Sequence, residues 1–174
     1  MTTTAAAVIA ALVARGVTVA TAESLTGGQL CAVLTEVPGA SACVRGAVVS
    51  YATDVKASLL DVDPQLLADR GPVDPTVAAQ MAVGVCRRLD ATYGVACTGV
   101  AGPAPQAGQP PGVVYLAVHD AARGTTTGSA LRLSGDRMAV RAATVDAALA
   151  ALLAVAERSD AGVSGREEVP HRDG

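Results

Sequence analysis

GPVDPTVAAQMAVGVCRRLDATYGVACTGV, residues 71–100, decides the fold class. Asp74 followed by Pro75 predicts a helix start, because an aspartate accepts hydrogen bonds from the free N–H groups of a first turn and proline suits the first helical position. Val77, Met81 and Val85 place an apolar stripe on that helix, which runs to about Leu89. Tyr93 to Thr98 then reads as a strand, and the stretch after it, TGVAGPAPQAGQPPG, is too rich in glycine and proline for regular structure. A striped helix feeding a strand that opens into a glycine-rich loop is the repeating unit of an α/β layered fold.

The flanks alternate in the same way. Val8, Ile9, Leu12 and Val13 form one face of a first helix, Val17 to Thr21 is a short β-branched strand, and Leu30, Val33, Leu34 and Val37 recur at helical spacing up to Pro38 and Gly39. Ala47 to Tyr51 reads as a buried strand leading into a helix that carries Lys56, Leu59 and Leu60. On the other side, GVVYLAVHD and Thr125 to Leu133 read as an antiparallel strand pair. The last helix starts near Gly135 and Asp136, with Met138, Ala142, Val145, Leu149 and Leu152 on one side. One domain is expected over residues 1–157, and the charged residues 158–174 read as a disordered tail.

Composition excludes several function classes. The 174 residues carry a net charge of −3 and no basic cluster larger than Arg87 and Arg88, which removes the footprint of a nucleic-acid binder. No uninterrupted apolar run reaches the roughly 20 residues of a membrane span, and the opening helix lacks the basic start of a signal peptide, so a cytoplasmic protein with a small-molecule partner is expected. Cys31, Cys43, Cys86 and Cys97 lack CxxC or Cys/His spacing, and with only His119 and His171 available no metal site is expected. A histidine-based triad would have to rest on His119, whose place in a strand suits a packed or surface residue better.

Lys56 is the only lysine in a chain whose other basic side chains are all arginine. Arginine does not deprotonate in proteins, whereas a buried lysine can be tuned into a neutral amine that activates a serine. Three glycine-rich turns follow strands, where α/β folds gather ligands. They hold Glu23, Ser24, Thr26, Gly27 and Gly28; Ser41, Tyr51 and Lys56; and Thr98, Gly99 and Gly102. The backbone N–H groups of the Gly27–Gly28 turn could cradle a phosphate or an oxyanion, or simply start a capped helix.

Ordered blocks across residues 5–155, namely TAESLTGG, VPGAS, RGAVVSYATDVK with LLDV, GPVDPTVAAQMAVG, TGVAGP with PPGVVYLAV, and SGDRMAVR, resemble the nicotinamide-nucleotide amidohydrolases, the C-terminal domain of the CinA competence/damage-inducible proteins. The resemblance implies a three-layer α/β/α sandwich with a mostly parallel mixed sheet. It also implies hydrolysis of nicotinamide mononucleotide to nicotinate mononucleotide and ammonia by a Ser/Lys pair, without metal or organic cofactor, and a homo-oligomer. Mapped onto this chain, it offers Ser41 as nucleophile with Lys56 as base and Tyr51 as orienting phenol. Ser24 is the rival nucleophile, and Arg137 a phosphate clamp. Substrate contacts are expected from Ser24, Thr26, Gly27, Gly28, Thr98, Gly99, Gly102 and Arg137. A non-catalytic nucleotide-binding module and an amidase for another small amide are the alternatives. The chain departs from the family pattern at Thr53, Asp74 and Ala104–Gln106, positions that bear on substrate fit.

Overall fold

The computed structural model describes residues 3–161. Five strands form one sheet in the order β2 (Val44–Val49), β1 (Val19–Glu23), β3 (Tyr93–Gly99), β4 (Val113–Asp120) and β5 (Thr125–Arg132). β1 pairs in parallel with both β2 and β3, and β4 runs antiparallel to β3 and β5, so only β4 opposes the other strands. Helices α1 (Thr3–Ala14), α2 (Gln29–Thr35) and α6 (Arg137–Ala161) cover one face; α3 (Thr53–Leu60), α4 (Pro64–Arg70) and α5 (Pro75–Arg88) cover the other. This is the α/β layered fold that the sequence pattern predicts, in the three-layer form with a mixed sheet that the resemblance implies.

Each face has its own core, because successive strand side chains point to opposite sides of the sheet. Val19, Val95, Leu116 and Val118 meet Leu12, Leu30, Leu34, Leu149 and Leu152 on one side. Ala20, Ala22, Ala96 and Ala117 meet Val77, Met81, Val85 and Leu60 on the other. The alanines on that second face let α5 approach closely, and two glycines bring it closer. A Cβ on Gly94 would lie 2.0 Å from the Ala82 carbonyl oxygen, and one on Gly84 would lie 2.0 Å from that of Leu60. Through Gly84, α5 presses α3, the helix of Lys56, against the end of the sheet.

Asp74 caps α5 by accepting from Thr76 N and Val77 N, as the sequence predicts. Four readings are corrected. β2 is an edge strand with partly exposed side chains rather than a buried one, and it ends at Val49. A helix that the sequence analysis passes over, α4, starts at Pro64 with Asp63 as its cap. The buried stripe of α6 is Val140, Val145, Ala148, Leu149 and Leu152, while Met138 is 77% exposed and Ala142 is also on the outside. Finally, α6 continues to Ala161, beyond the predicted domain end; residues 162–174 of the predicted tail lie outside the described residues.

By length and composition alone, residues 137–158 of α6 could cross a membrane. In this fold the apolar side of the helix covers β3 and β4 and packs against α1.

Candidate active site

The parallel register of β1 and β2 sets Glu23 beside Val49, and Ser50 N donates to the Glu23 carbonyl at 2.9 Å. The chain leaving β1 and the chain leaving β2 therefore depart side by side at the carboxyl ends of the strands. Ser24 stands on the first and Ser50 on the second, and α3 returns over them. Lys56, in the first turns of α3, is only 1% exposed. Its Nζ lies 3.1 Å from Ser24 Oγ and 2.5 Å from the Ser50 carbonyl oxygen.

Burial disfavours the charged ammonium and lowers Lys56 from 10.5 to about 8. The Cys97 thiol is raised to about 11, chiefly by burial, and so is neutral at working pH. As a neutral amine, Lys56 can keep one N–H on the Ser50 carbonyl and turn its lone pair towards the Ser24 hydroxyl. That is the geometry a general base needs.

The sign of the pH dependence follows. Below about pH 8 the amine is protonated in folded and unfolded chains alike, and the fold bears the cost of burying the charge. Between about 8 and 10.5 only the unfolded chain retains the proton, so stability rises with pH across that window. Lys56→Met is therefore expected to stabilise the protein at pH 7 by on the order of 2 kcal/mol and to flatten that rise. Urea unfolding of both proteins at pH 7 and pH 10 checks this, and an unchanged or lower stability at pH 7 would contradict it.

The Ser24 turn is held from below. Glu23, fully buried, accepts from Gly28 N at 2.9 Å, Leu30 N at 3.0 Å, Cys31 N at 2.8 Å and Thr21 Oγ1 at 3.1 Å. Arg141 donates to the Leu25 and Thr26 carbonyls at 3.0 and 2.7 Å, and the Thr26 hydroxyl lies 3.1 Å from Cys97 Sγ. Sequence reasoning missed Glu23 and Arg141 as supports; a carboxylate six residues before the start of a glycine-opened helix was the available signal for Glu23.

These bonds decide which of the predicted contacts meet. Gly28 N–H goes to Glu23 and Gly27 N–H to the Ser24 carbonyl, so the Gly27–Gly28 turn caps α2 instead of cradling an anion. Thr26 is buried in the same scaffold, and the Thr98 hydroxyl donates to the Pro72 carbonyl at 2.7 Å. Ser24, Leu25, Tyr51, Gly99, Ala101, Gln106 and Arg137 line one cavity of about 90 Å³. Across it Arg137 donates to the Gly102 carbonyl at 3.1 Å and to the Tyr51 hydroxyl at 2.9 Å. Tyr51 thus orients Arg137 and not the lysine.

Ser41 is not part of this arrangement. It sits exposed on a single 3₁₀ turn, Ala40–Ala42, before β2 begins, whereas Lys56 follows the end of β2. Strand β2, which spans roughly 17 Å, lies between the turn of Ser41 and the segment leading to Lys56. A dyad of Ser41 with Lys56 is incompatible with the fold, and Ser24 takes the place facing the amine. His119 pairs with Thr126 across β4 and β5 and does not line the cavity. A wider, mostly apolar groove of about 710 Å³ along α3 and α4 offers Asp54 and Ser58 but no group comparable to the buried amine.

Fold and site together define an α/β sandwich with a buried lysine set against a serine at the carboxyl ends of its parallel strands. The chain belongs to the CinA C-terminal domain family, whose model matches residues 1–156. It is 54% identical over 142 residues to a CinA-like protein of Frankia casuarinae, covering 82% of this chain and 32% of that protein. To a CinA-like protein of Gloeobacter violaceus it is 48% identical over 136 residues, covering 78% and 32%. The chain spans about a third of the length of these curated relatives. Among solved structures, the competence/damage inducible protein CihA from Agrobacterium tumefaciens superposes with a TM-score of 0.84 at 38% identity, covering 87% of this chain and 93% of that one. A CinA superfamily protein from Klebsiella pneumoniae gives 0.85 at 33% identity, covering 89% and 96%.

Proposed function

We propose that this domain is an amidohydrolase that converts nicotinamide mononucleotide and water to nicotinate mononucleotide and ammonia. The observation that carries the reading is the 3.1 Å contact between Ser24 Oγ and a buried lysine amine whose pKa burial lowers to about 8. Arg137, with two of its five N–H donors engaged, supports a nucleotide, because its remaining donors match phosphate oxygens at the cavity rim.

In the proposed reaction neutral Lys56 takes the Ser24 proton as Oγ attacks the carboxamide carbon, and the carbonyl oxygen becomes an oxyanion. When the C–N bond breaks, the Lys56 ammonium passes its proton to the departing nitrogen, which leaves as ammonia, and an ester to Ser24 remains. Water then attacks the ester carbon, Lys56 accepts its proton, and collapse returns a proton to Ser24 and releases the acid. The Ser50 carbonyl holds the amine in place throughout. Since the neutral amine is the base, kcat/KM is expected to rise with pH and level off above about 8.

Arg137→Ala tests the nucleotide part. The expected result is a KM for nicotinamide mononucleotide raised about 10- to 30-fold with kcat little changed, and no effect on the nucleoside lacking the phosphate. Equal losses on nucleotide and nucleoside would point to an amidase for another small amide. Nucleotide binding without ammonia release would point to a non-catalytic module.

A further inference from the structure

The loop after Gly102 narrows to a tight turn at its tip. Gln106 N donates to the Gln109 carbonyl at 3.0 Å and Gln109 N to that of Gln106 at 2.9 Å. The two residues between them, Ala107 and Gly108, have φ of 50° and 74°. This is the paired positive-φ geometry of a two-residue hairpin turn. Pro103, Pro105, Pro110 and Pro111 flank it and restrict the backbone on both sides. A Cβ built on Gly71, just before α5, would come within 3.1 Å of Ala107 Cβ, so the tip rests closely on the body of the domain.

Gln106 stands on the wall of the Ser24 cavity. Its backbone N–H and carbonyl are both engaged by Gln109, and its side-chain amide has no partner among the described residues. Gln106 is exposed, and its side chain carries one donor and one acceptor group beside the cavity on a stiff support. The space is small, about 90 Å³. Ser24, Gln106 and Arg137 line this same small cavity.

We infer that Gln106 is a specificity-determining residue that selects a primary carboxamide over the corresponding carboxylate. The inference rests on the amidohydrolase reading and deepens it. The pairing is reciprocal: Gln106 Nε2 donates to the substrate carbonyl oxygen, and Gln106 Oε1 accepts from the substrate NH2. A carboxylate has no N–H to give and its second oxygen would face Gln106 Oε1, so with the acid product one bond is lost and the repulsion between the two oxygens offsets the other.

Binding to the Ser24→Ala protein, which holds substrate without the nucleophile, tests this by titration calorimetry with nicotinamide mononucleotide and nicotinate mononucleotide as probes. Adding Gln106→Ala or Gln106→Leu is expected to weaken the amide about tenfold and to leave the acid within twofold. The leucine variant separates hydrogen bonding from filling of space. Equal weakening of both nucleotides, no weakening of either, or recovery of amide affinity by leucine would overturn the assignment. Turnover by the wild type is measured separately. If it releases no ammonia while the tenfold selective effect holds, hydrolysis fails and the selectivity role stands; if it is active and the selective effect is missing, only the role of Gln106 fails.

Discussion

Ser24→Ala and Lys56→Ala are each expected to lower kcat for deamidation of nicotinamide mononucleotide by at least about 10³-fold, while Ser41→Ala stays within twofold of the wild type. Residues acting as one nucleophile–base unit lose most of the catalytic effect when either is removed, so the double variant should be little worse than either single one. Ser24 is only partly buried and, among the described residues, its hydroxyl hydrogen-bonds to the lysine alone, so its loss should leave the packing intact. Lys56→Ala needs a folding check, because it removes a long side chain from a buried site. Lys56→Met keeps most of that volume and is the better comparison, since the account gives it higher stability at pH 7 together with lost activity. Circular dichroism and ammonia release on the same samples read both effects. Additive losses in the double variant would mean that serine and lysine act separately.

Glu23→Ala is expected to destabilise the fold by about 3 kcal/mol or more, the largest effect on stability among these substitutions. The fully buried Glu23 side chain takes three backbone N–H groups at the start of α2 as well as the Thr21 hydroxyl. Removing it strands donors whose burial costs roughly 1–3 kcal/mol each. For a chain of this size the midpoint of thermal unfolding should fall by roughly 6–12 °C. Glu23→Gln keeps one acceptor oxygen and should lie between alanine and wild type. Because the same carboxylate braces the turn on which Ser24 stands, both variants should also lose activity. A thermal midpoint unchanged in Glu23→Ala would show that α2 is capped by other means.

The order of helices and strands was legible because apolar spacing and Asp-Pro or Gly-Pro punctuation are local signals. Asp74–Pro75 was readable as a helix start because fourteen residues of striped helix follow it. Asp63–Pro64 carries the same signal but heads only seven residues, too few for a periodicity to show. The stripe of α6 was misplaced because the first turn, with Met138, lies outside the packed layer, so burial begins at Val140.

For the site, Lys56 stood out as the single lysine among arginines, and the structure buries it at a strand end. Its partner was not legible. Ser41 and Ser24 are both serines beside glycines, and the choice depends on the parallel register of β1 and β2. That register aligns Glu23 with Val49 and sends Ser41 to the opposite end of the sheet. The Gly27–Gly28 turn was ambiguous for a related reason. Its free N–H groups would suit an anion, and only the fold shows that the Gly27 N–H goes to the Ser24 carbonyl and the Gly28 N–H to the Glu23 side chain.

The most direct measurement is the yield of ammonia and nicotinate mononucleotide when the folded wild-type domain is given nicotinamide mononucleotide at pH 8. The account predicts the two products in equal amounts, formed catalytically and without added metal. Intact nucleotide after incubation with the folded protein, or ammonia released without the matching acid, would contradict it.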